Sequence, residues 1–250
     1  MNKPRFSVLI LLLFPPQWLL AESFDARLQW ADVHIVSVPV EGIVSQVAVA
    51  PGQRVSAGEL LLQLNATPFQ YRLQQARAEV DAITPAREDA LREKNDAEVL
   101  YEQTVLSDVE LQAAQIRYRK LDAEWQRARA ALKLAQWQAG WTRITAGQDA
   151  LVIDSSVVPG QMIAGDTRSQ PLLRLASANA LLATASVPGQ RLAAIQPGDA
   201  VHVTVAGQRH AAVIERIDWQ QPGAGRASVS ARFETGQVWL AGQAATLELP

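Results

Sequence analysis

At 250 residues, 48% of them hydrophobic, the chain is long enough to bury a core in one or two globular domains. A formal charge of −2 at pH 7, with no basic block, argues against nucleic acid and anionic membrane surfaces as partners. The absence of cysteine removes disulfides, thiolate chemistry, zinc fingers and a lipid-bearing N-terminal cysteine.

The chain begins "MNKPRFSVLILLLFPPQWLLAES". Lys3 and Arg5 make a short positive start, Phe6 to Phe14 an apolar run, and Ala21 a small residue at which a signal peptidase cuts, so residues 1–21 read as an export signal. The uninterrupted run stops at Pro15-Pro16, short of the ~20 residues of a spanning helix. Leu19 is larger than the small residue usual at its place before the cut, and an uncleaved anchor is the alternative.

Next comes a phrase spoken twice. "GIVSQVAVAPGQRVSAG" from Gly42 aligns with "ALVIDSSVVPGQMIAG" from Ala150, setting Val44 on Val152, Val49 on Val157 and Pro51-Gly52-Gln53 on Pro159-Gly160-Gln161. Each copy alternates apolar with small or polar residues, turns at Pro-Gly, and ends in a leucine-rich run, the pattern of short strands joined by tight turns. A unit this small cannot bury an apolar face alone. Each copy therefore reads as a half-sheet, and residues 33–65 and 142–177 are expected to pack on each other as one small β-sandwich.

Between the copies, residues 67–141 are rich in Ala, Leu, Gln, Glu and Arg, with one proline, Pro85. On the return limb, Leu111, Ala114, Tyr118, Leu121, Trp125, Ala128, Leu132 and Ala135 alternate steps of three and four, a heptad seam. The outgoing limb does likewise through Phe69, Leu73, Ala76, Val80 and Ile83. It then loses register at an expected kink at Pro85, and resumes less clearly with Ala86, Ala90, Ala97 and Leu100. Ser107-Asp108-Val109-Glu110 fits a capping box, which places the reversal of a two-helix hairpin at Thr104 to Ser107. With ~1.5 Å rise per residue the hairpin projects on the order of 50 Å. Glu88, Asp89, Arg87, Arg92 and Lys94 read as a solvated face, and Trp137 with Trp141 as a cover over the hairpin base.

Residues 178–250 change character again. "LLATASV", "AVHVTVAG", "HAAVIERIDW", "ASVSARF" and "AATLEL" read as strands, with turns at Pro197-Gly198, Gly207-Gln208, Pro222 to Gly225 and Gly242, and predict a small antiparallel barrel. Placing the hairpin turn at Gly207-Gln208 sets Val205 opposite His210 and Val213 opposite His202, so that the histidines are not cross-strand partners.

A split half-sheet, an inserted helical hairpin and a following barrel, in that order, resemble the periplasmic adaptor proteins, or membrane fusion proteins, of bacterial efflux pumps and secretion systems. The resemblance rests on "GIVSQVAVAPGQRVSAGELLLQL", "FQYRLQQARAEV", "ALKLAQWQAGWTRITA" running into "VVPGQMIAG", and the barrel stretches "IQPGDAVHVTV" and "LAGQAATLEL". It implies a mainly β fold with an inserted α-helical hairpin: a split lipoyl-like domain (a barrel-sandwich hybrid), a coiled-coil hairpin and a small antiparallel β-barrel. It also implies a non-catalytic periplasmic scaffold, associated with the inner membrane and self-assembling as a homo-oligomer. Its partners would be an inner-membrane transporter and an outer-membrane channel. With only Glu22 to Asp32 before the first half-sheet and nothing after Pro250, the chain resembles a trimmed adaptor.

In efflux members of the family the tip carries Arg, three residues, Leu, six residues, Ser. Here Leu100 and Ser107 keep the spacing, and Asp96 stands at the Arg position, reversing a charge where a channel would be gripped. With Val105, Leu106 and Asp108 they form the candidate docking residues. The alternative is that Leu100 packs in the seam and Ser107 only caps a helix.

Lipoyl and biotinyl carriers share the half-sheet pair but need a lysine at the exposed turn, where this chain has Asn65-Ala66-Thr67, so no cofactor is assigned. His34, His202 and His210 are scattered, and Met162 is the one methionine after the leader, which assigns no metal site. No Ser nucleophile motif, HExxH or Gly-rich phosphate loop occurs, and no catalytic residue is assigned. The competing reading is a stand-alone periplasmic coiled-coil binding or metal-handling protein.

Overall fold

The computed structural model describes residues 22–164, 171–219, 225–237 and 239–250. The leader read at 1–21, the small insertion of the second repeat copy and most of the turn at 222–225 lie outside the described residues. These divide into two units, residues 32–178 and residues 22–31 with 179–250.

The chain opens with β1 (Glu22–Trp30), which belongs to the second unit. The first unit runs β2 (His34–Val36), β3 (Gly42–Val47), β4 (Arg54–Val55), β5 (Leu60–Leu64), α1 (Thr67–Glu102), α2 (Asp108–Gly140), β6 (Arg143–Thr145), β7 (Ala150–Ser155), β8 (Met162–Ile163) and β9 (Leu173–Ser177). Its strands form two four-stranded sheets, ordered β2-β9-β7-β4 and β6-β5-β3-β8.

Neither repeat copy forms a sheet by itself, which corrects the half-sheet reading. Each copy gives two strands to each sheet, and exchanging copies turns one strand order into the other. The repeated turns show why. The Gly52 amide donates to the Val152 carbonyl at 2.7 Å and the Val152 amide to the Gln53 carbonyl at 2.9 Å. In the mirrored place Gly160 donates to Val44 at 2.8 Å and Val44 to Gln161 at 2.9 Å.

Both glycines hold φ +86°, a left-handed conformation that disfavours any side chain. The glutamines are part of the device: Gln53 Oε1 accepts the Ala50 amide, and Gln161 Oε1 the Val158 amide, each at 3.1 Å. Equivalent irregularities fall between Val44 and Gln46 and between Val152 and Asp154. The core mixes the copies, with Val44, Leu61, Leu62 and Leu64 of the first packed with Val152, Leu172, Leu173 and Leu175 of the second, all buried. Each fully buried leucine contributes roughly 2 kcal/mol.

The hairpin leaves and returns between adjacent strands. The Leu64 amide donates to the Thr142 carbonyl at 2.8 Å, and Gln63 pairs with Arg143. Phe69 of α1 lies in the sandwich core and Ala139 of α2 packs on it, rooting the hairpin there.

In the second unit, β1 is followed by β10 (Ala180–Pro188), a 3₁₀ turn Gly189–Ala194, β11 (Ala200–Val205), β12 (Gln208–Trp219), β13 (Arg226–Glu234) and β14 (Ala244–Leu249). They close a barrel in the order β1-β10-β13-β12-β11-β14. Its closing strand, β1, comes from residues that the sequence reading assigned to no domain. The signal was present: Ala26 and Leu28 point into the core, with Phe24 packed against it, while Asp25, Arg27 and Gln29 are exposed.

The β11–β12 turn is Ala206-Gly207, both at positive φ, one position earlier than read from the sequence. His210 therefore pairs with Val203, and His202 with Ala211. The register differs from the expected one, and the histidines still do not face each other.

Candidate docking site at the hairpin tip

The return-limb seam is as expected. Leu111, Ala114, Tyr118, Leu121, Trp125, Ala128 and Leu132 are half-buried and Ala135 is buried. A two-helix rod covers only one side of each seam residue, so water keeps the other.

The outgoing limb departs from the expectation at Pro85. α1 runs unbroken from Thr67 to Glu102 with Pro85 inside it. Pro85 is exposed, so the carbonyl left without its amide, that of exposed Asp81, faces solvent. The register also persists, through Ile83, Arg87, Ala90, Lys94 and Ala97, while Ala86 and Leu100 are exposed.

Spacing alone does not reveal this, because Arg87 and Lys94 occupy seam positions while their charges suit a solvated face. Arg87 Nε donates to Asp122 Oδ1 at 2.5 Å and its guanidinium to the Tyr118 hydroxyl at 3.3 Å. It lies 4.4 Å from the Trp125 ring centroid, with Arg129 at 4.5 Å from the same ring. The hydrogen bond to Asp122 is the largest influence raising the Arg87 pKa, which keeps the guanidinium charged. The Trp125 indole donates to Thr84 Oγ1 at 3.1 Å, and Thr84 donates to the Val80 carbonyl at 2.6 Å. Lys94 reaches the Tyr118 ring at 5.8 Å and pairs with Glu98 at 3.1 Å. Arginine and lysine thus bury their stems in the seam and keep their charges paired at its margin.

At the tip both helix ends are closed by their own residues. α1 ends with Val105 donating to the Leu100 carbonyl at 2.9 Å and Thr104 to the Tyr101 carbonyl at 2.9 Å, the two bonds of a Schellman motif. Thr104 takes its left-handed position at φ 61°, where glycine is usual. α2 starts with the expected capping box: Ser107 Oγ accepts the Glu110 amide, and Glu110 Oε2 accepts the Ser107 amide at 3.0 Å and its hydroxyl at 2.6 Å. These bonds, led by that from the Ser107 side chain, hold the Glu110 pKa below the usual carboxylate range.

The reversal therefore presents a fixed surface. Val105 is 69% exposed and Leu100 38%, Leu106 is half-buried, and Ser107 and Asp108 are exposed. Leu100 is not a seam residue; its carbonyl anchors the turn and its side chain belongs to the tip. Asp96 is exposed on α1, one helical turn before Leu100.

At the other end of the hairpin, Trp137 and Trp141 are 49% and 36% exposed and meet edge to face at 6.2 Å. Trp137 lines a cleft at the base with Pro39, Val40 and Phe69, so it borders the junction that Phe69 and Ala139 fill from within. Asn65 to Thr67 lead directly into α1, with Asn65 Oδ1 accepting the Thr67 amide at 3.1 Å. Among the described residues no group of three or more His, Cys, Asp or Glu side chains is placed to hold a metal ion.

No protein-family model matches the chain. It is 27% identical to the uncharacterized protein YdhJ of Escherichia coli K12 over 204 residues, 79% of this chain and 69% of that protein. It is 28% identical over 137 residues to the efflux pump periplasmic linker BepD of Brucella suis biovar 1, covering 55% of this chain and 34% of the linker. The chain thus spans about a third of that relative's length. The structure of the membrane fusion protein Spr0693 from Streptococcus pneumoniae R6 superposes with a TM-score of 0.68 at 15% identity, over 91% of this chain and 98% of that one, a similarity of fold. In fold the chain is similar to membrane fusion proteins, and in sequence over about half its length to an efflux-pump periplasmic linker.

Proposed function

We propose that the chain is the adaptor subunit of an export system, a non-catalytic periplasmic scaffold that links an inner-membrane transporter to an outer-membrane channel for efflux or secretion. The leader at residues 1–21 would direct export, and association with the inner membrane would come through the transporter. Among the described residues no helix is long and apolar enough to cross a membrane.

The observation that carries this reading is the hairpin. A helical arm is rooted in a two-copy sandwich and ends in a doubly capped reversal, with Val105 and Leu100 exposed beside half-buried Leu106. Apolar side chains held rigidly at a reversal have little of their own chain to pack on, and burying them against a partner costs little ordering entropy. Asp96 near the tip gives the docking face an acidic margin and favours a channel rim without opposing carboxylates.

Val105→Asp and Leu106→Asp test the reading, since each sets an unpaired charge in a small apolar contact. Both are expected to abolish export while co-purification with the inner-membrane partner and helical content stay unchanged. Ala139→Asp, placed against the sandwich core, is expected to disturb folding instead. Full export by both tip variants would remove the tip as a docking site.

A further inference from the structure

Where the hairpin joins the sandwich, two hollows of about 210 and 230 Å³ share the lining residues Glu41, Phe69 and Arg72. Ile43 and Met162 wall the first, and Pro39 and Trp137 the second. Ile43 of β3 stands opposite Met162 of β8 at the edge of their sheet, and the two side chains are 47% and 69% exposed. Trp137, near the end of α2, is 49% exposed. Phe69 is buried and lines both hollows. An apolar lining left open to water on two sides of one fixed ring is the composition of a small-molecule site, and the hollows together have the room of one.

The charges indicate which molecule. The Arg72 guanidinium rests 5.9 Å from the Phe69 ring centroid, and Glu41 is exposed. Among the described residues neither side chain has an ion pair or a hydrogen bond. Elsewhere on the hairpin Arg87, Arg92, Lys94 and Arg117 are each paired with a carboxylate. Arg72 and Glu41 thus line the same two hollows without neutralising each other, and they are the only charged lining residues. A ligand with one negative charge would gain from Arg72 and lose against Glu41, and a ligand with one positive charge would do the reverse. A ligand carrying both charges satisfies both. Its cationic end gains further from the Trp137 ring.

We propose that the two hollows form one binding site for an elongated aromatic zwitterion. Its apolar body lies against Ile43 and Met162, its carboxylate meets the Arg72 guanidinium, and its ammonium group sits between Glu41 and Trp137. Phe69 is rooted in the sandwich core, and Arg72 follows it by one turn of α1, so the cation is already posted over the site before a ligand arrives. Binding to such a prepared site costs little ordering. The site lies at the opposite end of the hairpin from the tip. It goes beyond the adaptor reading and needs no partner chain.

Titration calorimetry on the purified mature protein tests this with a piperazinylbenzoic acid, a rigid aromatic zwitterion. Its methyl ester keeps only the cation, and its N-acetyl derivative only the anion. The zwitterion is expected to bind saturably at one site per chain, and each singly charged derivative about tenfold or more weakly than it. Arg72→Gln is expected to weaken the zwitterion about tenfold and to strengthen the ester. Glu41→Gln is expected to weaken the zwitterion likewise and to strengthen the N-acetyl derivative. Met162→Ala is expected to weaken all three alike. Glu41 and Arg72 are exposed, so helical content and melting are expected to stay unchanged in their variants.

The opposite responses of the two singly charged derivatives are the signature of a ligand seated between the two charges, which a merely structural role of either residue would not produce. No saturable binding of the zwitterion would overturn the proposal, as would binding that neither charge substitution changes. An N-acetyl derivative that binds as tightly as the zwitterion and loses affinity in Arg72→Gln alone would also overturn it, by showing a site for anions.

Discussion

Leu62 in the sandwich has no exposed surface, whereas Leu121 and Trp125 in the hairpin seam each keep one side in water. The sandwich closes because two copies of one sequence unit supply both faces and exchange turn hydrogen bonds at the same places. The hairpin has two helices and one shared face, and fills it partly with charge: Arg87 and Lys94 stand where leucine would stand in a drier coiled coil. Burial therefore holds the sandwich together. The hairpin depends more on paired polar groups, which fix its register along a thin seam.

Substitutions that act differently in the two regions sharpen this contrast. Leu62→Ala leaves a cavity in a closed core and is expected to cost about 3 kcal/mol, and to lower the melting of sheet and hairpin signals together, because Phe69 ties α1 into that core. Trp125→Ala is expected to cost less, about 2 kcal/mol, since one side of its seam is already wet. Its effect should appear in the helical signal at 222 nm while the sandwich keeps its transition. Equal costs, or a shared transition for Trp125→Ala, would mean that the hairpin and the sandwich unfold as one.

Asp122→Ala is expected to lower only the helical transition, by less than Trp125→Ala. Arg87 keeps its contact with Tyr118 and its stacking on Trp125 but loses its carboxylate. High salt is expected to shrink the difference between this variant and the parent. Salt-independent loss would place packing, rather than charge, at that point of the seam.

The smallest effect concerns the cap. The Glu110 pKa is lowered in the folded hairpin, so its contribution is present above the pKa of the unfolded chain and is lost as pH falls through the lowered folded value. Between about pH 6 and about pH 3, the hairpin of Glu110→Gln is expected to lose less stability than that of the parent. Parallel losses in the two proteins would remove the capping box as a source of the pH dependence.

Much of this was legible in the sequence. The alignment of Val44 with Val152 and of Gln53 with Gln161 marks residues that hold equivalent places in the two turns, because a duplicated unit closing on itself must use equivalent contacts. The seam from Leu111 to Ala135 and the capping box at Ser107 were readable for a similar reason, since spacing alone dictates them. Strand exchange between the copies was not readable, because strand alternation states which residues are buried and not which strand lies beside which.

Arg87 and Lys94 hid the continuing register because a charged residue at a seam position looks like a solvated one until its partner is known. β1 is hard to read from sequence because its alternation of Phe24, Ala26 and Leu28 is brief and its partners, β10 and β14, lie far along the chain. The reversal itself, between Glu102 and Asp108, is legible from the capping box. The exposure of the tip residues follows from the two caps, while docking itself is a property of a partner and is not written in this chain's spacing.

On the adaptor reading, the repeat builds a self-sufficient base whose one inserted arm makes the outer contact. Excising residues 70–138 and joining the ends with a short Gly-containing turn tests it most directly, because Leu64 and Thr142 already meet at the base. Export should be measured alongside circular dichroism and co-purification with the inner-membrane partner. A folded, mostly β protein that still holds that partner and exports nothing is expected. Export without the hairpin, or a chain that no longer folds, would contradict it.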